Sequence, residues 1–104
     1  MQRHAELLRQ LSAAGWEPIT YARGEPAQVR VERYGSGETV YLAVHNPAQE
    51  AVEEAKVSIE AEALKLGKFT AKELPGGQAL PVQGDAVRLK LEGKGTVVVA
   101  LRRG

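Results

Sequence analysis

The chain has 104 residues, enough for one domain with a single buried core and too few for two. Its 14 Lys plus Arg against 13 Asp plus Glu leave a formal charge of +1, so there is no long-range field to gather nucleic acid or an anionic membrane, and neither is expected as a partner. No cysteine is present, which excludes disulfides and thiolate metal sites, and no apolar run reaches transmembrane length. Met1 leads into Gln2, Arg3, His4 and Glu6 without the apolar stretch of a signal peptide, and the chain reads as soluble.

Leucines at 7, 8 and 11 with alanines at 5 and 14 gather on one helical face, which predicts a short amphipathic helix over 3–14 ended by Gly15. A helix of about three turns is marginal alone in water, so the stripe of Leu7, Leu8 and Leu11 is a candidate interface, received by the rest of the chain or by a partner. Trp16 follows the helix stop and is expected to plug the seam between helix and sheet, where an indole buries much apolar area.

After Trp16 the period changes to two. Ile19 and Tyr21 alternate with Thr20 and Ala22, and Val29 and Val31 with Gln28, Arg30 and Glu32, which are strand patterns. Tyr34-Gly35-Ser36-Gly37-Glu38 supplies a tight glycine turn, and Thr39 to His45 is rich in β-branched and aromatic residues, so a hairpin is predicted over about 27–46. Tyr34 and Tyr41 are placed to pair across it, and Asn46-Pro47 ends it.

Residues 48–66 carry two patterns. Ala, Glu, Lys and Leu favour helix by propensity, whereas Val57, Ile59, Ala61 and Ala63 alternate with Ser58, Glu60 and Glu62. Strand over roughly 55–62 is preferred because its period agrees with both flanks, with a helix over 50–64 as the rival. A short strand follows around Phe69 to Leu74, then a Pro75-Gly76-Gly77 turn, then a last pair of runs, 86–92 and 96–102, meeting at Gly93-Lys94-Gly95. The expected fold is all-β, an antiparallel β-sandwich of about seven to eight strands with one N-terminal α-helix, divided as helix 1–15 and sandwich 16–104.

No catalytic constellation emerges. Asp85 follows Gly84 in a turn, where aspartate bonds nearby backbone, and the glutamates fall on polar strand positions. His4 and His45 have no partner at metal-ligating spacing, Gly35-Ser36-Gly37 lacks the full nucleophile-elbow pattern, and no phosphate-cradling glycine motif opens a helix, so no metal or cofactor is expected. The aromatics are the remaining candidates. Trp16, Tyr21 and Tyr41 would be the carbohydrate or interface contacts if rings stack on sugars.

Three segments carry a likeness: Ala14-Gly15-Trp16-Glu17-Pro18-Ile19-Thr20-Tyr21-Ala22-Arg23, Val29-Arg30-Val31-Glu32-Arg33-Tyr34-Gly35, and Val40-Tyr41-Leu42-Ala43-Val44-His45-Asn46. With the closing Val87-Arg88-Leu89-Lys90-Leu91 and Gly95-Thr96-Val97-Val98-Val99, they resemble the C-terminal β-sandwich of bacterial glycoside hydrolases and the last helix of the barrel before it. The resemblance implies a non-catalytic accessory domain, because that family's catalytic carboxylates lie in the barrel. Its implied partner is that barrel in a parent protein, with a structural, domain-packing role. Two alternatives stay beside it: a carbohydrate-binding module, and a self-associating domain that dimerises through Leu7, Leu8 and Leu11.

Overall fold

A computed structural model describes residues 9–74 and 76–103. Residues 9–14 form α1, the described part of the predicted helix, and Gly15 ends it with φ +90°, its N–H donating to the Leu11 carbonyl. Ten strands follow: β1 (Trp16–Glu17), β2 (Ala22–Glu25), β3 (Arg30–Tyr34), β4 (Thr39–His45), β5 (Val52–Ile59), β6 (Phe69–Leu74), β7 (Gln78–Leu80), β8 (Val82–Gln83), β9 (Ala86–Leu91) and β10 (Thr96–Arg103). They form two antiparallel sheets, ordered β1-β3-β4-β10-β6-β7 and β2-β5-β9-β8. This is the expected all-β sandwich. Two of its strands, β1 and β8, have only two residues each.

Period-2 patterning decides which face of each strand enters the core. From the larger sheet Val40, Leu42, Val44, Val99 and Leu101 point inward, and from the smaller Ala55, Val57, Ile59, Val87, Leu89 and Leu91 meet them. Fully burying one such aliphatic side chain contributes roughly 1.5–3 kcal/mol, so this layer dominates what holds the two sheets together. The ambiguous stretch resolves as strand, since Ala55, Val57 and Ile59 are buried at alternate positions of β5, although it starts earlier than expected and gives way to turns at 61–65. Ala61, Leu64 and Leu66 from that turn segment close one edge of the core.

The predicted hairpin is present, with Val31 opposite Val44 and Tyr34 opposite Tyr41. One expectation is corrected, and one point left open is decided. The alternation of Ile19 and Tyr21 forms no strand: residues 18–21 carry the chain from β1 in one sheet to β2 in the other, Pro18 offers no N–H to a ladder, and Tyr21 has φ +56°. The closing runs are not hydrogen-bonded to each other either. β9 lies between β5 and β8, β10 lies between β4 and β6, and residues 92–95 step across the sandwich. A glycine turn between two apolar runs is read equally well as a hairpin or as a crossing, and the crossing wins because each run then gains two neighbours in its own sheet.

Two other crossings are pinned by polar side chains. Asn46, fully buried after β4, donates from Nδ2 to the Glu50 carbonyl (2.8 Å) and the Glu92 carbonyl (3.2 Å), and its Oδ1 accepts from the Ala48 N–H at 3.1 Å. It thereby ties the 46–50 crossing to the 92–95 crossing, where Gly93 sits so close to the Gln49 carbonyl that a Cβ has no room. Arg33, only 5% exposed, performs the comparable task for residues 18–21: Nε donates to the Ile19 carbonyl (2.9 Å) and Nη1 to the Gly35 carbonyl (2.7 Å).

Candidate interaction surface

The outer face of the larger sheet carries an aromatic row. Register places Trp16 of β1 beside Tyr34 of β3, Tyr34 beside Tyr41 of β4, and Tyr41 beside Ala100 of β10. Side chains at directly paired positions share a face, so Trp16, Tyr34 and Tyr41 all lie on the side away from the core. α1 rests on that row: Leu11 is buried against Val98, with Tyr34, Tyr41 and Leu74 partly buried around it. The apolar stripe of the helix is therefore received, at Leu11, by its own sheet. Leu7 and Leu8 lie outside the described residues.

Trp16 does not plug the seam. It is 56% exposed, and its indole N–H donates to Glu32 Oε1 at 2.7 Å. The reason is the sharp turn at Gly15, whose carbonyl accepts from the Gly35 N–H: it moves the chain directly into an edge strand, so the ring emerges beside the helix end rather than beneath it. Ile19, at 58%, is the other exposed large apolar side chain nearby. A cleft of about 230 Å³ runs on the same outer face, where Gln10, Thr39, Thr70, Lys72 and Arg102 surround Tyr41. Its walls offer a half-buried ring, hydroxyls and cations.

Tyr21 belongs elsewhere. It packs on the main core, and the Arg33 guanidinium lies 5.5 Å from its ring centroid, within cation–π range. The structure thus brings Trp16 and Tyr41 onto one face, through Tyr34, and leaves Tyr21 apart from them.

The titratable residues show separate, local arrangements. His45 Nδ1 lies 2.8 Å from Thr96 Oγ1 across the β4–β10 pair. Glu54 bonds Arg88 at 2.8 Å, and Lys90 lies 3.5 Å from Glu92 and 4.0 Å from Glu53, all on the exposed face of the smaller sheet, where such pairs contribute little. Asp85 occupies the β8–β9 turn, its carbonyl accepting from the Ile59 N–H. Among the described residues no three His, Cys, Asp or Glu side chains gather as a metal-holding group.

Arg33 is the residue that sequence reasoning passed over. Its signal was available, since it follows Val29 and Val31 at period two and so falls on the inward face of β3. A charged residue in that register needs partners, and Ile19, Gly35 and Glu17 supply them.

Comparison with solved structures follows this geometry. The chain is similar to Gan42B, a GH42 beta-galactosidase from G. stearothermophilus, with a TM-score of 0.50, 21% sequence identity, and a match covering 96% of this chain and 12% of that one. A catalytic mutant of the same enzyme matches equally. What is shared is the fold of a small part of a glycoside hydrolase chain. A GH30 endoxylanase from Clostridium papyrosolvens C71 also matches, with a TM-score of 0.48 and 11% identity over 77% of this chain and 21% of that one. No protein-family model matches the sequence, and no curated protein does.

Proposed function

We propose that this chain is a non-catalytic accessory β-sandwich of glycoside-hydrolase type, with a structural, domain-packing role toward a catalytic barrel of the same protein. The observation that carries the reading is one of proportion: 96% of the chain overlays on 12% of a GH42 beta-galactosidase, the scale of one small domain within a large enzyme. Two features of the surface agree with it. Trp16 and Ile19 are exposed three residues apart where the chain leaves the helix, and exposed large apolar side chains are the candidates for contact with other protein. The acidic side chains named above are spread over solvated positions or paired with cations, whereas glycoside hydrolysis needs two carboxyl groups facing one another across the bond.

The decisive experiment has two arms. The reading frame is followed beyond both ends of this segment, and a catalytic domain encoded in the same frame is expected. The purified chain is then incubated with chromogenic β-galactosides and xylan, with no turnover expected. A frame closed at both ends overturns the packing role, and turnover that persists in a second, independently purified preparation overturns the non-catalytic one.

Trp16 favours one further reading, a carbohydrate-binding module, because its ring is exposed and its orientation is fixed by Glu32. Retention on an insoluble polysaccharide that is lost in Trp16→Ala would establish it. Dimerisation through the helix finds less support, since Leu11 already contacts its own sheet.

A further inference from the structure

At one end of the sandwich, away from the aromatic row, a cleft of about 350 Å³ lies between the 17–21 crossing, the β3–β4 turn and the 61–65 turns. Its size falls at the small end of the range typical of ligand sites, roughly 300–1,000 Å³. Among the described residues three cations line it, Arg33, Lys65 and Arg103, against a single carboxylate, Glu17, with Ser36 contributing a hydroxyl.

We propose that this cleft is a binding site for a small anion, a carboxylate or a phosphate, with Arg33 as its fixed anchor. Arg33 is 5% exposed, and two carbonyls hold its Nε and Nη1, so the guanidinium plane is set before any ligand arrives. Its remaining nitrogen, Nη2, has no acceptor within hydrogen-bond distance among the described residues. The nearest carboxylate oxygen is Glu17 Oε1 at 3.8 Å, on a side chain that is 38% exposed. With Nε and Nη1 committed to carbonyls, Nη2 is the nitrogen left to donate to the oxygen of an anionic ligand, in place of its long contact with Glu17. Arg103 is steered to the same opening by its Nη1 bond to the Lys65 carbonyl (3.3 Å), and Lys65 itself stands in the left-handed region at φ +58°. Charge and geometry therefore agree on a small anion, and the cationic groups present suit carboxylate and phosphate alike. Glu17 occupies the position of a weak internal competitor.

The test is titration of the ¹⁵N-labelled chain with sodium galacturonate, galactose and inorganic phosphate at constant ionic strength, followed through backbone amide shifts. Galacturonate, phosphate or both are expected to move the amides of Ser36, Gly37 and Lys65 saturably, and galactose is expected to leave them in place. Lys65→Gln combined with Arg103→Gln removes two exposed cations without touching the core and is expected to weaken binding about tenfold or more, the equivalent of one good charge-assisted contact. Glu17→Gln is expected to tighten it, a gain that a purely structural role for Glu17 would not produce. Equal shifts with galactose, no saturation with either galacturonate or phosphate, or no response to Glu17→Gln would each overturn the proposal. Because none of these readouts involves hydrolysis or a neighbouring domain, they can fail while the accessory-domain reading stands, and the reverse.

Discussion

Two of the crossings between the sheets solve the same problem with different chemistry. After β4 the chain leaves the larger sheet past Asn46, a neutral side chain that is wholly buried and uses both amide protons and its oxygen on the backbone. After β1 it leaves past Arg33, a charged side chain that holds two carbonyls and also lines a cleft beside Glu17. A neutral amide enclosed on all sides has nothing left to offer a ligand, so its role ends with stability. A guanidinium at a cleft wall has donors to spare, and its local field stays available to an anion. The comparison teaches that buried polar residues of one fold divide by what remains after their internal bonds are counted.

The comparison is broken most severely at Asn46. Truncation by Asn46→Ala leaves the Glu50 and Glu92 carbonyls and the Ala48 N–H without their partner in a closed space. Each orphaned buried group costs about 1–3 kcal/mol, so a total loss of roughly 3 kcal/mol or more is expected in urea unfolding, with partial relief if water enters. Gly93→Ala attacks the same junction sterically, because a Cβ there meets the Gln49 carbonyl, which is backbone and cannot swing aside. Forcing the two crossings apart is expected to cost about 2–3 kcal/mol, in the range of overpacked sites. If both variants unfold like the parent, Asn46 is not the pin described here.

Arg33→Met is expected to be milder, about 1–2 kcal/mol. The Ile19 carbonyl belongs to a segment exposed enough to find water, and removal of the charge also removes the cost of keeping it out of solvent. A loss as large as that of Asn46→Ala would show that the two anchors are alike after all, and that the spare capacity of Arg33 is only apparent.

How much of this was legible in the chain depends on which residues carried the signal. Alternation is a strong local signal, so Val40-Leu42-Val44 and Val57-Ile59 placed their strands, and Tyr34 and Tyr41 their pairing, before any coordinates. What alternation cannot express is which sheet a strand joins. The Gly93-Lys94-Gly95 turn looks the same whether it closes a hairpin or steps between layers, and the 46–50 segment behind it decides, through contacts such as Asn46 to Glu92 at a separation of 46 residues. Trp16 failed for a related reason: its burial depends on where the chain goes after Gly15, and the Gly35–Gly15 backbone bond that sets this is a tertiary contact. For the candidate sites, Trp16 and Tyr41 were visible as aromatics, whereas the Arg33 cleft joins residues from four separate segments and had no local pattern beyond the register of Arg33 itself.

The smallest effect is expected at Trp16, and its smallness is informative. An indole that is 56% exposed, held by one solvent-accessible hydrogen bond to Glu32, contributes little to folding, so Trp16→Ala is expected to change stability by no more than about 0.5 kcal/mol. A ring that contributes so little to its own fold is the side chain to test for contact with another domain, as the proposed packing role requires. Differential scanning calorimetry of the isolated chain measures the first half of this argument. The second half is measured by repeating the substitution in the full gene product: where the proposed neighbouring domain packs on the outer face beside β1, its melting temperature drops with Trp16→Ala. Should Trp16→Ala instead destabilise the isolated chain by several kcal/mol, the ring is part of the sandwich's own structure, and the surface that the accessory role requires must lie on another face.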